Sequence, residues 1–218
     1  MLNMEFSKRV VIDTQSQQWF ESPSIGVRRK PLERESAESG HVTSIVEYLP
    51  GARFSEHCHP LGEEILVLQG VFSDEDGDYP AGTYLRNPPG SCHSPFSQQG
   101  CVILVKLNQF SPDDTKYVRV DTKQQEWQKS VGKLEIMPLH QHGYEQVALI
   151  RWSAADNYHS HGHFGGEEIF VLEGKLCDDF GDYPAGTWTR NPHASHHEPY
   201  VSGPTTLWFK SGHLPETK

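Results

Sequence analysis

Residues 57–95 recur at 161–199. In register at an offset of 104, HCHPLGEEILVLQG (57–70) stands above HGHFGGEEIFVLEG (161–174), GDYPAGT (77–83) above 181–187, and RNP (86–88) above 190–192. Of these 39 positions, 23 are identical and no gap is needed, so the chain is an internal duplication and both halves must share one fold. The correspondence continues upstream with small length changes: Asp13-Thr14 and Trp19 answer to Asp121-Thr122 and Trp127, and Pro31-Leu32 to Pro138-Leu139. Each copy is about 100 residues, the size of a small domain. The turn-rich run NQFSPDDTK (108–116) is the expected join. The sequence therefore reads as two homologous domains, 1–110 and 111–218.

Apolar residues do not recur at helical spacing in either copy; they alternate or form short runs bounded by Gly, Pro and Asp. Val42 to Leu49, Glu64 to Leu68, Thr83 to Leu85 and Cys101 to Leu107 read as strands, as do Val147 to Trp152, Glu168 to Leu172, Thr187 to Thr189 and Thr206 to Phe209. Asp76-Gly77 and Phe180-Gly181 fall where hairpins should turn. The class expected is all-β, an antiparallel sandwich or small barrel per copy. A net charge of −10 argues against nucleic acid and acidic membrane surfaces as partners. No apolar run approaches the roughly 20 residues of a bilayer span. The opening MLNMEFSKRV has no signal-like core and the four cysteines form no C-x-x-C pair, so a reducing, cytoplasmic setting is expected.

Thirteen histidines stand out in the composition. On a strand, residues two apart face the same way, so His57 projects with His59 and His161 with His163. Glu63 and Glu167 follow at the same spacing, and His93 and His197 come thirty residues later. Three imidazoles and a carboxylate make a mixed nitrogen and oxygen set suited to a divalent first-row metal with positions left open. A lone histidine is usually an ordinary surface or core residue. The whole set is kept in both copies while the residues between have diverged, which favours ligation.

These motifs resemble those of the cupins. Gly51-x5-His57-x-His59-x3-Glu63-x6-Gly70 is similar to the first cupin motif, and Gly82-x5-Pro88-x-Gly90-x2-His93 to the second. The second copy gives His161-x-His163-x3-Glu167-x6-Gly174 and Gly186-x5-Pro192-x4-His197. EEILVLQG, GDYPAGTY and RNPPGSCH further resemble the cupin domain of the anti-sigma factor ChrR, over most of both copies. The resemblance implies a bicupin, two tandem double-stranded β-helix (jelly-roll) barrels. It also implies one divalent metal per barrel, held by His57, His59, Glu63 and His93, and by His161, His163, Glu167 and His197. Zinc comes first, with iron, manganese or nickel as alternatives. Ala155 and Ala194 stand where the motifs expect Gly, and Ser97 and Val201 where the second motif often ends in Asn. The H-x3-C-x2-C motif of the ChrR anti-sigma domain is missing before Gly26, so sigma-factor binding is not expected.

The x6 spacing to Gly, and shared parity with Ile65 and Val67 or Ile169 and Val171, select Glu63 and Glu167 over Glu64 and Glu168, which should face away. Arg86-Asn87 and Arg190-Asn191 recur just before the second motif; the arginines could hold an anionic ligand, but a structural ion pair to Glu64 or Asp78 and an Asn that turns the chain are the preferred reading. His159 could line the same cavity and His196 should face away; His140 and His142 read as a solvated loop. Cys58 and Cys92 each adjoin a ligand and read as inert small residues, with oxidation there as the alternative. Phe54, Phe72, Tyr84 and Trp188 should fill the barrels. The functional expectation is a metalloprotein responsive to a small molecule or oxidative stress, monomeric or homodimeric. The alternative is an Fe(II)-dependent cupin dioxygenase cleaving a small diketone-like substrate.

Overall fold

The computed structural model describes residues 1–152, 156–157 and 161–216, with the backbone alone for 156, 157 and 161. Among them there is no α-helix, only a 3-10 turn at Thr122–Gln124, and no helix long and apolar enough to cross a membrane. The all-β expectation holds, and physically so: runs of β-branched and aromatic residues cut every few positions by Gly, Pro and Asp offer no helical stripe to bury.

The chain folds as two compact units, Met1–Met4 with Gln17–Gln125 and Glu5–Ser16 with Glu126–Lys218. In the first, an antiparallel sheet runs in the order Val118–Asp121, Thr83–Asn87, Glu63–Asp74, Cys101–Leu107, Val42–Tyr48, Val27–Arg34, Phe20–Glu21. In the second the order is Val10–Asp13, Thr187–Asn191, Glu167–Glu173, Thr205–Ser211, Glu145–Trp152, Leu134–His142, Gln128–Lys129. The conserved Pro-Leu pairs fall at β-bulges, the register slipping at Leu32 and again at Leu139. A proline cannot donate to the ladder, and a bulge tolerates that.

Smaller antiparallel elements complete each unit. Gly77–Pro80 folds back on the far half of Glu63–Asp74; in the second unit Gly181–Pro184 pairs with Lys175–Asp178, which continues to Tyr200–Val201. Ile65, Val67, Ile103 and Val105 from the first large sheet pack with Phe72 and Tyr79 from the small one. Ile169, Val171 and Leu207 pack with Leu176, Tyr183 and Val201 in the second unit. Each core thus joins two layers, and two short ribbons, His57–His59 with Ser91–His93 and His161–Gly162 with His196–His197, carry the histidines apart from His163, which directly follows the second ribbon.

The compact units do not follow the sequence repeats. Val10–Asp13 lies against Thr187–Asn191, Val10 opposite Arg190, whereas Val118–Asp121 lies against Thr83–Asn87, Val118 opposite Arg86. Each repeat gives its leading strand to the other repeat's sheet, where it satisfies an edge of unpaired N–H and C=O groups. The recurring Asp-Thr closes both exchanges: the Thr14 hydroxyl donates to the Gly186 carbonyl at 2.7 Å and the Thr122 hydroxyl to the Gly82 carbonyl at 2.6 Å.

A fragment spanning 17–125 therefore keeps the strand that covers the Thr83–Asn87 edge, and a fragment spanning 17–116 loses it while keeping Asp114, the partner of Arg86. Urea denaturation is expected to find the longer fragment more stable by about 2–4 kcal/mol, at about 1 kcal/mol net per ladder hydrogen bond. Equal stabilities would show that the exchanged strand adds nothing.

Candidate metal centre

The antiparallel register of the first ribbon builds the site. His57 lies opposite His93, Cys58 opposite Cys92 and His59 opposite Ser91. Residues directly opposite share a face, and successive residues alternate faces. His57, His59 and His93 consequently project together, and Cys58 with Cys92 project on the other side. Glu63 begins the next strand opposite Asn87. His59 Nε2 lies 3.0 Å from His93 Nε2, and Glu63 Oε2 lies 3.4 Å from each of those nitrogens. The ligand atoms of His57, His59 and His93 all fall within 4.8 Å of one another. His59, Glu63 and His93 are buried and His57 is half-buried.

A closed circuit of hydrogen bonds supports these side chains from behind. Asn87 Nδ2 donates to Glu63 Oε2 at 2.8 Å, Arg119 Nη2 donates to Asn87 Oδ1 at 2.6 Å and Arg119 Nε to the Tyr79 hydroxyl at 3.3 Å. Tyr79 donates to Asp74 Oδ1 at 3.1 Å, and Asp74 Oδ2 meets His93 Nδ1 at 3.4 Å. The circuit runs from one prospective ligand, Glu63, to another, His93.

The second unit repeats it. Asn191 Nδ2 donates to Glu167 Oε1 at 2.9 Å, and Arg9 donates to Asn191 Oδ1 at 2.9 Å, the Tyr183 hydroxyl at 2.6 Å and Asp178 Oδ2 at 2.7 Å. Tyr183 donates to Asp178 Oδ1 at 2.5 Å, and Asp178 Oδ2 meets His197 Nδ1 at 3.2 Å. His163 Nδ1 and His197 Nε2 lie 3.4 and 3.6 Å from the Glu167 carboxylate, and the three residues again offer donor atoms within 4.8 Å. The backbone of His161 pairs with His197. The His161 side chain, with His159 and Ala155, lies outside the described residues. Ala194 holds φ 59° where its counterpart Gly90 holds 83°, so the turn survives the missing glycine by placing an alanine in the left-handed region.

Electrostatics follow from burial and from this circuit. Burial lowers the His59 pKa, which favours the neutral, lone-pair-bearing ring. Burial also pushes His93 down, but the Asp74 hydrogen bond and the Glu63 charge outweigh it and the net shift is upward. Burial raises Glu167 against the opposing pull of His197 and Asn191. Asp178 is pushed up by burial, yet hydrogen bonds from His197, Tyr183 and the Phe180 amide, with Arg9 beside it, bring it down to about 2. The two aspartates are thus anchored anions behind the histidines.

The donor set fits a divalent cation. With Asp74 on His93 Nδ1 and the Ser55 carbonyl on His57 Nδ1 at 2.9 Å, the hydrogen-bond pattern assigns the proton to Nδ1 and turns both Nε2 lone pairs inward, as metal-bound histidines require. A cavity of about 750 Å³ reaches His57, His59 and Glu63. Its walls are mainly apolar, Val46, Ile103, Val105, Leu107, Tyr48 and Phe54, with Arg29 and Arg34 also lining it. Both arginines pair with Glu38.

Several expectations meet the structure differently. Glu64 faces away from the histidines as expected, accepting from Tyr84 at 3.0 Å and Arg86 at 3.1 Å. Arg86 also binds Asp114 at 2.6 Å, while Asp78 accepts from Ser73 instead. Glu168 likewise faces its own partners, Trp188 and His213. Tyr84 and Trp188 are therefore buried as hydrogen-bond donors on that face, Phe72 does fill the core, and Phe54 borders the cavity. His140 and His142 belong to the strand Leu134–His142, with His140 buried, because the hairpin turns only after them. Cys58 and Cys92 are not inert: direct cross-strand pairing brings them together and they form a disulfide.

The arginines beside the centre, Arg119 and Arg9, were not legible. Asn87 and Asn191, expected to turn the chain, instead end strands and donate to the glutamates; Asp74 and Tyr79 recur at the offset of 104 as Asp178 and Tyr183 and could have been suspected, but the arginines are 110 positions apart and break the register.

Comparison with known proteins gives the same fold. The family described as the ChrR cupin-like domain matches residues 7–111 and again 115–215. No curated protein matches the chain. Among solved structures, a candidate dioxygenase from Nostoc punctiforme superposes with a TM-score of 0.79 at 15% identity, covering 97% of this chain and 85% of that one. A candidate glyoxylate-induced protein from Pseudomonas aeruginosa gives 0.76 at 13% identity, covering 97% and 90%. Oxalate decarboxylase of Bacillus subtilis, a protein with Mn(II) centres, gives 0.65 at 15% identity, covering 95% and 78%. At these identities the likeness is one of fold.

Removing Arg119 opens the circuit of the first unit alone, and removing Arg9 opens that of the second. Arg119→Ala is expected to weaken one class of divalent-metal site about 10–100-fold in a chelator competition and leave the other unchanged. Arg9→Ala should affect the other class. Unaltered affinities in both variants would detach the circuits from metal binding.

Proposed function

This chain belongs to the family of ChrR cupin-like domains in both of its halves, and from that membership we propose that it is a metal-binding bicupin holding one divalent ion per unit. The ligands are His57, His59, Glu63 and His93 in the first, and His161, His163, Glu167 and His197 in the second. Zinc is the first choice and iron, manganese or nickel fit the same donors. The observation that carries this reading is the inward convergence of imidazole nitrogens on one carboxylate oxygen, with the outer His93 and His57 nitrogens committed to Asp74 and the Ser55 carbonyl and the carboxylate itself fixed by Asn87. Without a cation such a cluster is expensive to bury.

The role proposed is response to a small molecule or to oxidative stress. An ion held by three rings and one carboxylate keeps positions open, and a ligand with an oxygen donor at one end and an apolar body fits a cavity that meets the donors and is walled mainly by Val, Ile, Leu and aromatic groups, with Arg29, Arg34 and Glu38 among its polar lining. Resting on the apolar walls, Tyr48 and Phe54 would orient the body and keep water from the donor end.

The same cavity favours one further reading, an Fe(II)-dependent dioxygenase acting on a small diketone-like molecule. The bound metal would supply the redox and Lewis-acid chemistry, and the chain's own contribution would be a dry, oriented pocket. A responsive protein needs binding alone, whereas an enzyme must turn substrate over.

Metal analysis of the purified chain is expected to find one to two divalent ions, and His59→Ala with His163→Ala together to abolish them. Undiminished metal in that double variant would refute the assignment. Oxygen uptake by the Fe(II)-loaded protein with a panel of 1,3-diketones separates the two roles: sustained uptake marks the dioxygenase, and ligand binding without uptake marks the responsive protein.

A further inference from the structure

The two faces of the first ribbon carry different chemistry. One presents His57, His59 and His93; the other presents Cys58 and Cys92, directly opposite one another, exposed, and joined by a disulfide. The crosslink ties the strand that holds two imidazoles to the strand that holds the third, with Cys58 between His57 and His59 and Cys92 next to His93. Each strand of that ribbon is only three residues long. So short a pair has little intrinsic stability, and a covalent tie across its middle fixes the spacing of its side chains.

The second unit provides a natural contrast. At the matching positions stand Gly162 and His196, which face each other across the ribbon. The imidazole occupies the space over the glycine, where a Cβ would come within 2.7 Å of it, and no crosslink can form. The remaining cysteines, Cys101 and Cys177, are buried free thiols. Burial pushes Cys101 up to about 11 and raises Cys177 as well, so neither is suited to attack a disulfide.

We propose, building on the metal-binding reading above, that Cys58–Cys92 is a thiol-exchange site whose reduction by a low-molecular-weight thiol weakens metal binding in the first unit and leaves the second unit unaffected. The chemistry balances without further reactants. A small thiolate attacks one sulfur of the pair, forming a mixed disulfide and releasing the other cysteine as a thiolate, which takes up a proton. A second small thiolate then displaces the first cysteine, so that Cys58 and Cys92 become two thiols and the small thiol leaves as its own disulfide. Two electrons pass to the protein. The ribbon loses its covalent tie, and His57 and His59 are held against His93 only by backbone pairing and the circuit behind.

The test uses the full chain. Air-purified protein titrated in denaturant is expected to show two thiols, and four after reduction with dithiothreitol. Zn(II) affinity is then measured by competition with a chromogenic chelator for three forms: oxidised protein, reduced protein freed of reductant without air, and Cys58→Ser/Cys92→Ser. Two site classes are expected in the oxidised protein, one of them weakened about tenfold or more in both other forms and the second unchanged. The serine variant separates loss of the tie from any ligation by the new thiols. If it fails to unfold cooperatively, the reduced protein decides.

Four thiols persisting after treatment with oxidised glutathione would overturn the proposal, since no crosslink then forms. So would two unchanged affinities in the uncrosslinked forms, a result that leaves the metal-binding reading intact. Failure of the oxidised protein to bind Zn(II) at all would overturn that reading and the proposal with it.

Discussion

A carboxylate facing imidazoles in a protein interior must have its charge answered from more than one side. The attraction of one partner does not repay the loss of water around a buried ion. Here the answer is a circuit: Glu63 to Asn87, Arg119, Tyr79, Asp74 and back to His93. The positive guanidinium sits between two anions, Asp74 is held ionised by His93, the Asp76 amide and Tyr79 against the effect of its burial, and every polar atom in the path has a partner. Much of the surrounding structure serves to place those six side chains. The Glu63–Asp74 strand carries two of them at its ends, the hairpin after it returns Tyr79, and the next strand supplies Asn87.

The circuit also gives the strand exchange a chemical consequence. Arg119 rides on Val118–Asp121 and Arg9 adjoins Val10–Asp13, the two segments that leave their own repeat to pair with the other. Neither repeat by itself contains the guanidinium that completes its centre. Although Arg119 stands within its strand and Arg9 just before its own, they arrive at equivalent asparagines and tyrosines, because a long flexible side chain can reach one target from two starting points. Backbone register is thus less strictly kept between the copies than the chemistry at the end of the side chain.

Against that shared frame, the copies diverge on the outer face of the histidine ribbon. Parity confines the difference there: residues 57, 59 and 93 must stay on one side whatever occupies 58 and 92. A disulfide in one copy, and a glycine under an imidazole in the other, are two ways of filling the same cross-strand position without disturbing the inner face. The duplication therefore leaves two similar donor sets with different mechanical support.

The sequence alone determined the duplication, the β class and the choice of Glu63 over Glu64, because identity at fixed offset and alternation along a strand are properties of consecutive residues. Strand alternation also put His57 and His59 on one face, and motif resemblance supplied the partner His93. What it left undecided was which segments meet. The pairing of Cys58 with Cys92 needed the antiparallel register of two strands 34 residues apart. The exchange of leading strands needed to know whose sheet edge lay open, and the roles of Arg9 and Arg119 needed both, since they sit off the repeat register. His140 and His142 looked like loop for want of one fact, the place where the hairpin turns. Local patterning is written in neighbouring side chains, but closure of a circuit from strands that lie apart in the sequence, by well over a hundred residues for Arg9 and Asn191, is decided by packing free energy summed over the folded unit, and only the tertiary structure expresses that sum.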